Sequence, residues 1–249
     1  MKLGFSTLAL FMKPNEEIVK IAEDNGFDMI EILCEGPYSP KYLLEHKKYL
    51  KAFYNTNLEL CIHSPTVDLN IASINQGIRE ESTKQIMETI DLAEEIGATA
   101  ITTHPGQVGR KEERIRNMGM KYTIDSIKKL VDYSEGKNIT ISVENMPKRF
   151  SFLCNRTEEL EKVVEETGCG ITIDLGHANT CENPAEFLDL NNIKYYHLND
   201  NNGEKDQHYS LGEGTLDLNL LKKVNKGIIE LNNFDNVLKS KELIRNQYP

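Results

Sequence analysis

The stretch Ile171-Thr172-Ile173-Asp174-Leu175-Gly176-His177 decides how this chain is to be read. It is an apolar run of strand type that stops on an acid and delivers an imidazole three residues later. Taken alone, an Asp-x-x-His of this kind reads as a helix cap followed by a half-buried histidine. It gains weight because the pattern recurs. Apolar runs end on a metal-competent side chain at His63 in LCIHSP, His104 in AITTHPG, Glu144 in ISVEN, His197 in KYYHLND and Glu230 in GIIELN. Five of the six histidines occupy such strand ends or the loops just beyond them.

Working outward, strand-type runs fall at 2–6, 27–33, 58–62, 98–103, 139–143, 170–173, 193–198 and 227–229. Helical patterns fall at 14–25, 38–54, 73–96, 112–135, 157–167 and 235–245, with Gly26 and Gly97 placed to end the first and third. Eight strands alternating with helices over 249 residues predict a single α/β domain spanning 1–249, a (β/α)8 TIM barrel, with a doubly wound open sheet as the rival architecture. In a barrel the functional groups gather at the C-terminal ends of the strands, so His63, His104, Glu144, Asp174, His197 and Glu230 are expected to converge on one mouth. Period-two alternation puts Glu31 on the face of Leu33, either in the barrel interior or in a salt bridge. Cys61 shares the face of His63 and reads as a small apolar core residue.

The loop after the seventh strand adds KDQHYS, in which Asp206 and His208 can grip one ion together, and His177 completes that group. These nine imidazoles and carboxylates are more than one tetrahedral ion uses. A nitrogen and oxygen donor set without sulfur suits divalent metals, zinc foremost with manganese or a related ion as alternatives, at two or three per chain.

The remaining composition narrows the setting. A net charge of −10 opposes indiscriminate nucleic-acid binding. Five scattered cysteines with no C-x-x-C spacing fit a reducing cytosol rather than a disulfide scaffold or a thiolate zinc site. The apolar start of MKLGFSTLALFMKPNEE lacks a small-residue cleavage site, and no segment reaches membrane-spanning length, so a soluble cytoplasmic protein without a membrane partner is expected. LGEGT is not a dinucleotide fingerprint, because its glycines follow a loop rather than a strand, and no P-loop motif occurs.

The run from His63 and Pro65 through Asn70-Ile71-Ala72-Ser73, Arg79, Ser82, Ala93-Glu94 and Gly97-Ala98 to His104-Pro105-Gly106 is similar to endonuclease IV in residues and spacing. VENMP, IDLGHAN and HLNDNNGEKDQHYSLGEG follow in the same order. Over nearly its whole length the chain resembles the endonuclease IV and xylose isomerase-like superfamily (AP endonuclease family 2). That resemblance implies that His63 and His104 hold one ion and that Glu144 bridges it to a second. Asp174, His197 and Glu230 complete the second, and His177, Asp206 and His208 hold a third. It also implies phosphodiester hydrolysis, on a phosphoester such as abasic DNA.

The loop CEGPYSPK lacks the arginine-bearing insertion with which endonuclease IV probes duplex DNA. Arg110, Lys148, Arg149 and Lys205 are the basic candidates for phosphate contacts, against the ordinary role of solvated surface charge. The rival reaction is sugar or sugar-phosphate isomerisation or epimerisation. There Glu144, Asp174, His197 and Glu230 hold one ion while Glu144 and Glu230 pass a proton. A metal-dependent binding protein without turnover is a third reading.

Overall fold

Residues 1–247 are described in this computed structural model; the last two residues of the expected 1–249 domain lie outside the described residues. The strands are β1 (Lys2–Ser6), β2 (Met29–Leu33), β3 (Glu59–His63), β4 (Ala100–Thr103), β5 (Thr140–Glu144), β6 (Gly170–Asp174), β7 (Ile193–Leu198) and β8 (Lys226–Ile229). They run parallel in sequence order, and β8 pairs back onto β1 with Lys2 opposite Lys226 and Phe5 opposite Ile229. The sheet is therefore a closed barrel with no open edge, the TIM-barrel architecture rather than an open sheet.

The surrounding helices are α1 (Asn15–Asp24), α2 (Pro40–Glu45), α3 (Lys51–Tyr54), α4 (Gln76–Ile96), α5 (Glu113–Ser134), α6 (Thr157–Thr167), α7 (Leu175–Asn179), α8 (Pro184–Phe187) and α9 (Phe234–Gln247). Asn75 caps α4 by accepting from the Ile78 N–H, so the helix starts later than the apolar pattern at 73 suggests. Gly97 ends it in the left-handed conformation, φ 75°.

Two expectations need correction. The segment 38–54 is not one helix: His46, at φ −124° and ψ 57°, breaks it into α2 and α3 with a 3-10 turn, Lys47–Leu50, between them. Asn15 then ties that turn to α1 by donating to the Tyr49 carbonyl at 2.9 Å. The β/α alternation also falters late in the chain. The β6 crossover carries only the short α7 and α8, and the β7 crossover only a 3-10 helix, Leu218–Lys223. The sequence after β7 explains this, because its Asn and Asp side chains bind nearby backbone and compete with helix formation. Asn202 Oδ1 accepts from Glu204 and Lys205, and Asp200 accepts from the amides of Gly212, Gly214 and Leu216, each at 3.0 Å.

The main core lies between strands and helices, with Phe5, Ile32, Ile62, Ile90, Ile101, Ile127 and Val143 fully or nearly fully buried. A second, smaller cluster of Met29, Cys61, Ala100, Tyr195 and Ile228 fills the barrel interior. Cys61 is thus a core residue, as its apolar surroundings in the sequence suggest. No helix among the described residues is long and apolar enough to cross a membrane.

Candidate metal centre

Inward-facing positions recur every second residue along a strand. One layer above Cys61 on β3 is His63, and one layer above Tyr195 on β7 is His197. Glu144 and Asp174 are the last residues of β5 and β6, and Glu230 follows β8 directly. All five are buried. Barrel closure brings these strand ends and the loops after β4 and β7 into three groups of donors. They are His63–His104–Glu144, Glu144–Asp174–His197–Glu230, and His177–Asp206–His208, and within each the donor atoms lie within 4.8 Å of one another.

Glu144 stands at the centre. Its Oε2 lies 3.3 Å from His63 Nε2 and 3.1 Å from His104 Nε2, and its Oε1 lies 3.0 Å from His197 Nδ1. His197 Nδ1 also faces Glu230 Oε2 at 3.3 Å and Asp174 Oδ2 at 4.0 Å. In the third group one oxygen, Asp206 Oδ2, is 3.2 Å from Nε2 of both His177 and His208.

Four of the five imidazoles are held by their outer nitrogen. Nδ1 faces a backbone carbonyl in three of them: Ser64 for His63 at 2.9 Å, Asn145 for His177 at 2.7 Å and Glu230 for His208 at 2.8 Å. In His197 it is Nε2 that faces the Glu31 carboxylate at 3.0 Å. A carbonyl or carboxylate only accepts, so each of these contacts puts the N–H on the outer nitrogen and turns the other toward the acids. That is the arrangement of metal-binding histidines.

Asp174 is restrained on every side. Its N–H donates to Asn145 Oδ1 at 2.7 Å, and Asn145 Nδ2 returns a bond to the Asp174 carbonyl at 3.0 Å. Its Oδ2 accepts from Asn199 Nδ2 at 2.8 Å, and its Oδ1 caps α7 by accepting from the His177 N–H at 2.6 Å. The helix-cap reading of Asp-x-x-His and the clustered-donor reading are both realised, because the cap turn is what swings His177 back over the mouth.

The electrostatics follow from burying acids and imidazoles together. Burial alone would push His63 down, but its hydrogen bond to Glu144 and the charge of that acid carry it up to about 9. His208 rises to about 10 in the same way, with Asp206 outweighing burial. His177 and His197 stand well above the usual imidazole range against the same penalty. Burial would raise Glu144 and Glu230, yet the charge of His197 holds Glu144 well below the carboxylate range and Glu230 at about 2. Asp174 runs the other way, lifted by burial to about 6 although His177 opposes it. The acids thus hold positive charge in place, and a divalent ion competes with protons for the same donors. The clusters are compatible with one or more divalent-metal sites.

Among the described residues no ion pair joins Arg110, Lys148, Arg149 or Lys205 to the nine donors. Lys148 pairs with Glu182 at 2.9 Å, both side chains exposed, and the Arg149 guanidinium lies 5.5 Å from the centre of the Phe152 ring. Lys148 and Arg149 line a groove with Arg156 and Phe187 that includes none of the nine donors. Arg110 lines a recess that shares Lys111, Arg149 and Phe150 with that groove, and the Lys205 amide donates to Asn202 in the loop before Asp206. A cavity of about 190 Å³ does adjoin the mouth, lined by Thr66, Asn70, Thr103, His104, Gln107 and Phe152.

Sequence reasoning did not assign the residues that orient the donors: Asn145, Asn199, Tyr195 and Glu31. Two had a signal, since Asn145 follows Glu144 directly and Glu31 alternates onto the interior face.

Comparison with known proteins agrees with this geometry. Residues 19–245 match the model of the family described as xylose isomerase-like TIM barrel. The chain is 34% identical to the uncharacterized protein MJ1311 of Methanocaldococcus jannaschii, covering 98% of this chain and 88% of that protein. It is 29% identical to the Mycobacterium leprae protein named "Probable endonuclease 4", over 80% of this chain and 81% of that one. Among solved structures, a D-tagatose 3-epimerase-like protein superposes with a TM-score of 0.88 at 32% identity, over 99% of this chain and 96% of the other. Endonuclease IV from Thermus thermophilus shares the fold, with a TM-score of 0.72, at 21% identity over 99% and 100% of the two chains. The family thus spans hydrolases and sugar epimerases on one metal-binding scaffold, and this chain belongs to the xylose isomerase-like TIM-barrel family of endonuclease IV and its relatives.

Proposed function

We propose that the protein is a metal-dependent sugar or sugar-phosphate isomerase or epimerase. The observation that carries this reading is the buried group Glu144–Asp174–His197–Glu230, three carboxylates around one imidazole, in a chain 32% identical to a D-tagatose 3-epimerase-like protein. The donor set fits a divalent ion, since oxygen-rich sites with one imidazole and no sulfur take manganese, magnesium, zinc and similar metals. Bound there, such an ion supplies Lewis-acid polarisation of a carbonyl and the neighbouring hydroxyl.

The residues do the rest. Glu144 and Glu230 approach His197 Nδ1 with different carboxylates, at 3.0 and 3.3 Å, and the charge of His197 favours the ionised form of each. One ionised carboxylate takes the proton from the carbon beside the carbonyl, and the other, after drawing a proton from solvent, gives that proton to the same carbon from the opposite face and so inverts it. Asn145 and Asn199 keep Asp174 in place while this happens.

A second reading, phosphodiester hydrolysis, is favoured by one specific observation. His63–His104 and His177–Asp206–His208 supply donors for two further ions beside the first, with Glu144 between His197 and the His63–His104 pair. Two or three ions, zinc foremost, would then clamp a phosphoester such as abasic DNA and activate water. Two features weigh against it: a short loop after β2 and a net charge of −10.

The deciding experiment pairs solvent-deuterium uptake into a panel of ketoses and aldoses with cleavage of an abasic duplex. Uptake that requires Glu144 and Glu230 is expected. Chelator-sensitive cleavage without uptake would overturn the epimerase in favour of the hydrolase.

A further inference from the structure

A second buried acid stands behind the cluster. Glu31 of β2 accepts from His197 Nε2 at 3.0 Å through Oε2, and the Tyr195 hydroxyl donates to the same oxygen at 2.8 Å. Thr102 of β4 is within hydrogen-bond reach of the Tyr195 hydroxyl and 2.7 Å from Thr172 of β6. All five side chains are completely buried, and Glu31 Oε1 has no hydrogen-bond partner among the described residues. The chain of contacts crosses the barrel interior from β2 to β7, β4 and β6, just where Met29, Cys61, Ala100 and Ile228 otherwise make it apolar.

Stability alone does not explain an acid in that place. Barrel interiors are normally filled by branched apolar side chains, and a buried carboxylate carries a desolvation penalty that its hydrogen bonds only offset. What Glu31 does have is a unique position relative to His197. It fixes a proton on Nε2, and so it leaves Nδ1, which faces Glu144 and Glu230, as the nitrogen that would give up its proton to an ion. Among the four histidines held from behind, His197 alone is held by a carboxylate; the other three are held by backbone carbonyls. A negative partner makes the ligating nitrogen more basic, which a carbonyl does less.

We propose that Glu31 is a positioning residue of the metal centre: it sets the tautomer and orientation of His197 and strengthens its hold on a divalent ion at Glu144–Asp174–His197–Glu230. Tyr195 keeps the Glu31 carboxylate turned toward the ring. The proposal rests on the reading of this cluster as a metal site, not on which reaction the site performs.

The test uses the full chain and zinc or manganese as the probe. Affinity is measured by competition with a chelator for wild type, Glu31→Gln and Tyr195→Phe, alongside thermal unfolding of each protein with and without metal. The ring nitrogens of His197 are followed by 15N NMR in the zinc-loaded protein. Glu31→Gln is expected to bind the ion about ten- to hundredfold more weakly, to unfold near the wild-type temperature without metal, and to move the His197 Nε2 signal. Tyr195→Phe, which leaves the carboxylate in place, is expected to cost less affinity than Glu31→Gln. Wild-type affinity and an unmoved His197 signal in Glu31→Gln overturn the role of Glu31 and leave the metal site standing. Wild-type protein that takes up no ion overturns both. Should Glu31→Gln not fold, the wild-type spectrum decides, because zinc on Nε2 rather than Nδ1 of His197 overturns the proposal.

Discussion

A Cβ placed on Gly176 would fall 1.8 Å from Oδ1 of Asn199. Asn199 is fully buried and cannot swing aside, and its other end donates to Asp174 Oδ2 at 2.8 Å. The glycine inside IDLGH therefore makes room for the side chain that steadies the acid two residues before it. Gly176→Ala is expected to destabilise the fold by about 1–3 kcal/mol, as overpacking does, and to weaken metal binding by displacing Asn199. Urea unfolding and chelator competition measure the two effects. Unchanged metal affinity in a destabilised variant would show that Asn199 does not serve the site.

Glu144 faces His63 and His104 with one oxygen and His197 with the other, whereas His177 touches the acid cluster only from its edge. Glu144→Gln is accordingly expected to cost at least about a hundredfold in kcat, the scale of losing an acid–base group, and far more than His177→Ala. Steady-state kinetics of the two variants on the substrate found by deuterium uptake provide the comparison. Near-normal turnover by a folded Glu144→Gln would remove the proposed centre of the site.

Metal removal separates the two reactions by stoichiometry. If the hydrolase reading holds, metal-replete protein carries two or three ions, and His177→Ala or His208→Ala loses one of them. If the epimerase reading holds, one tightly held ion suffices for activity and survives both substitutions. In either case chelation is expected to lower the unfolding temperature, because an ion bound only by the folded state stabilises it in proportion to the logarithm of its concentration. Elemental analysis and calorimetric scans read these outcomes, and a melting temperature indifferent to added metal would speak against any tight site.

At the opposite end of the barrel Glu59 of β3 bridges Lys2 of β1, at 3.1 Å, and Lys226 of β8, across the seam where the sheet closes. Burial would raise the Glu59 carboxyl, but the two lysines hold it below its ordinary 4.5. A depressed folded value means that the stabilisation is complete above about 4.5 and is lost as pH falls through the lowered value. The side chain is 24% exposed, so solvent screening limits the gain to about 1 kcal/mol. Glu59→Gln should therefore lower stability at pH 7 by that amount and leave the metal site untouched. The deficit should close as pH falls below 4.5; a deficit that stays constant down to pH 2 would exclude the ion pairs as its source.

Much of the architecture was readable along the chain. A strand announces itself by a short apolar run with a stop signal, and His63, Glu144, Asp174, His197 and Glu230 each end or follow such a run. What misled was also local. The apolar spacing at 38–54 looks like one helix until His46 leaves helical dihedrals, and the even β/α rhythm fails where Asn and Asp side chains bind their own backbone after β7.

The kinds of donor and their placement at strand ends were thus settled by local order, because periodicity and turn chemistry act over a few residues. Which atoms meet was not. Glu31 reaches His197 across 166 residues of chain, and Asp206 comes to lie between His177 and His208. Only closure of β8 onto β1, with every strand's inward register locked by its neighbours, brings such groups to about 3 Å. The orientation of His63, His177, His197 and His208 follows from that same closure, since a ring nitrogen takes its proton according to the acceptor the fold sets behind it.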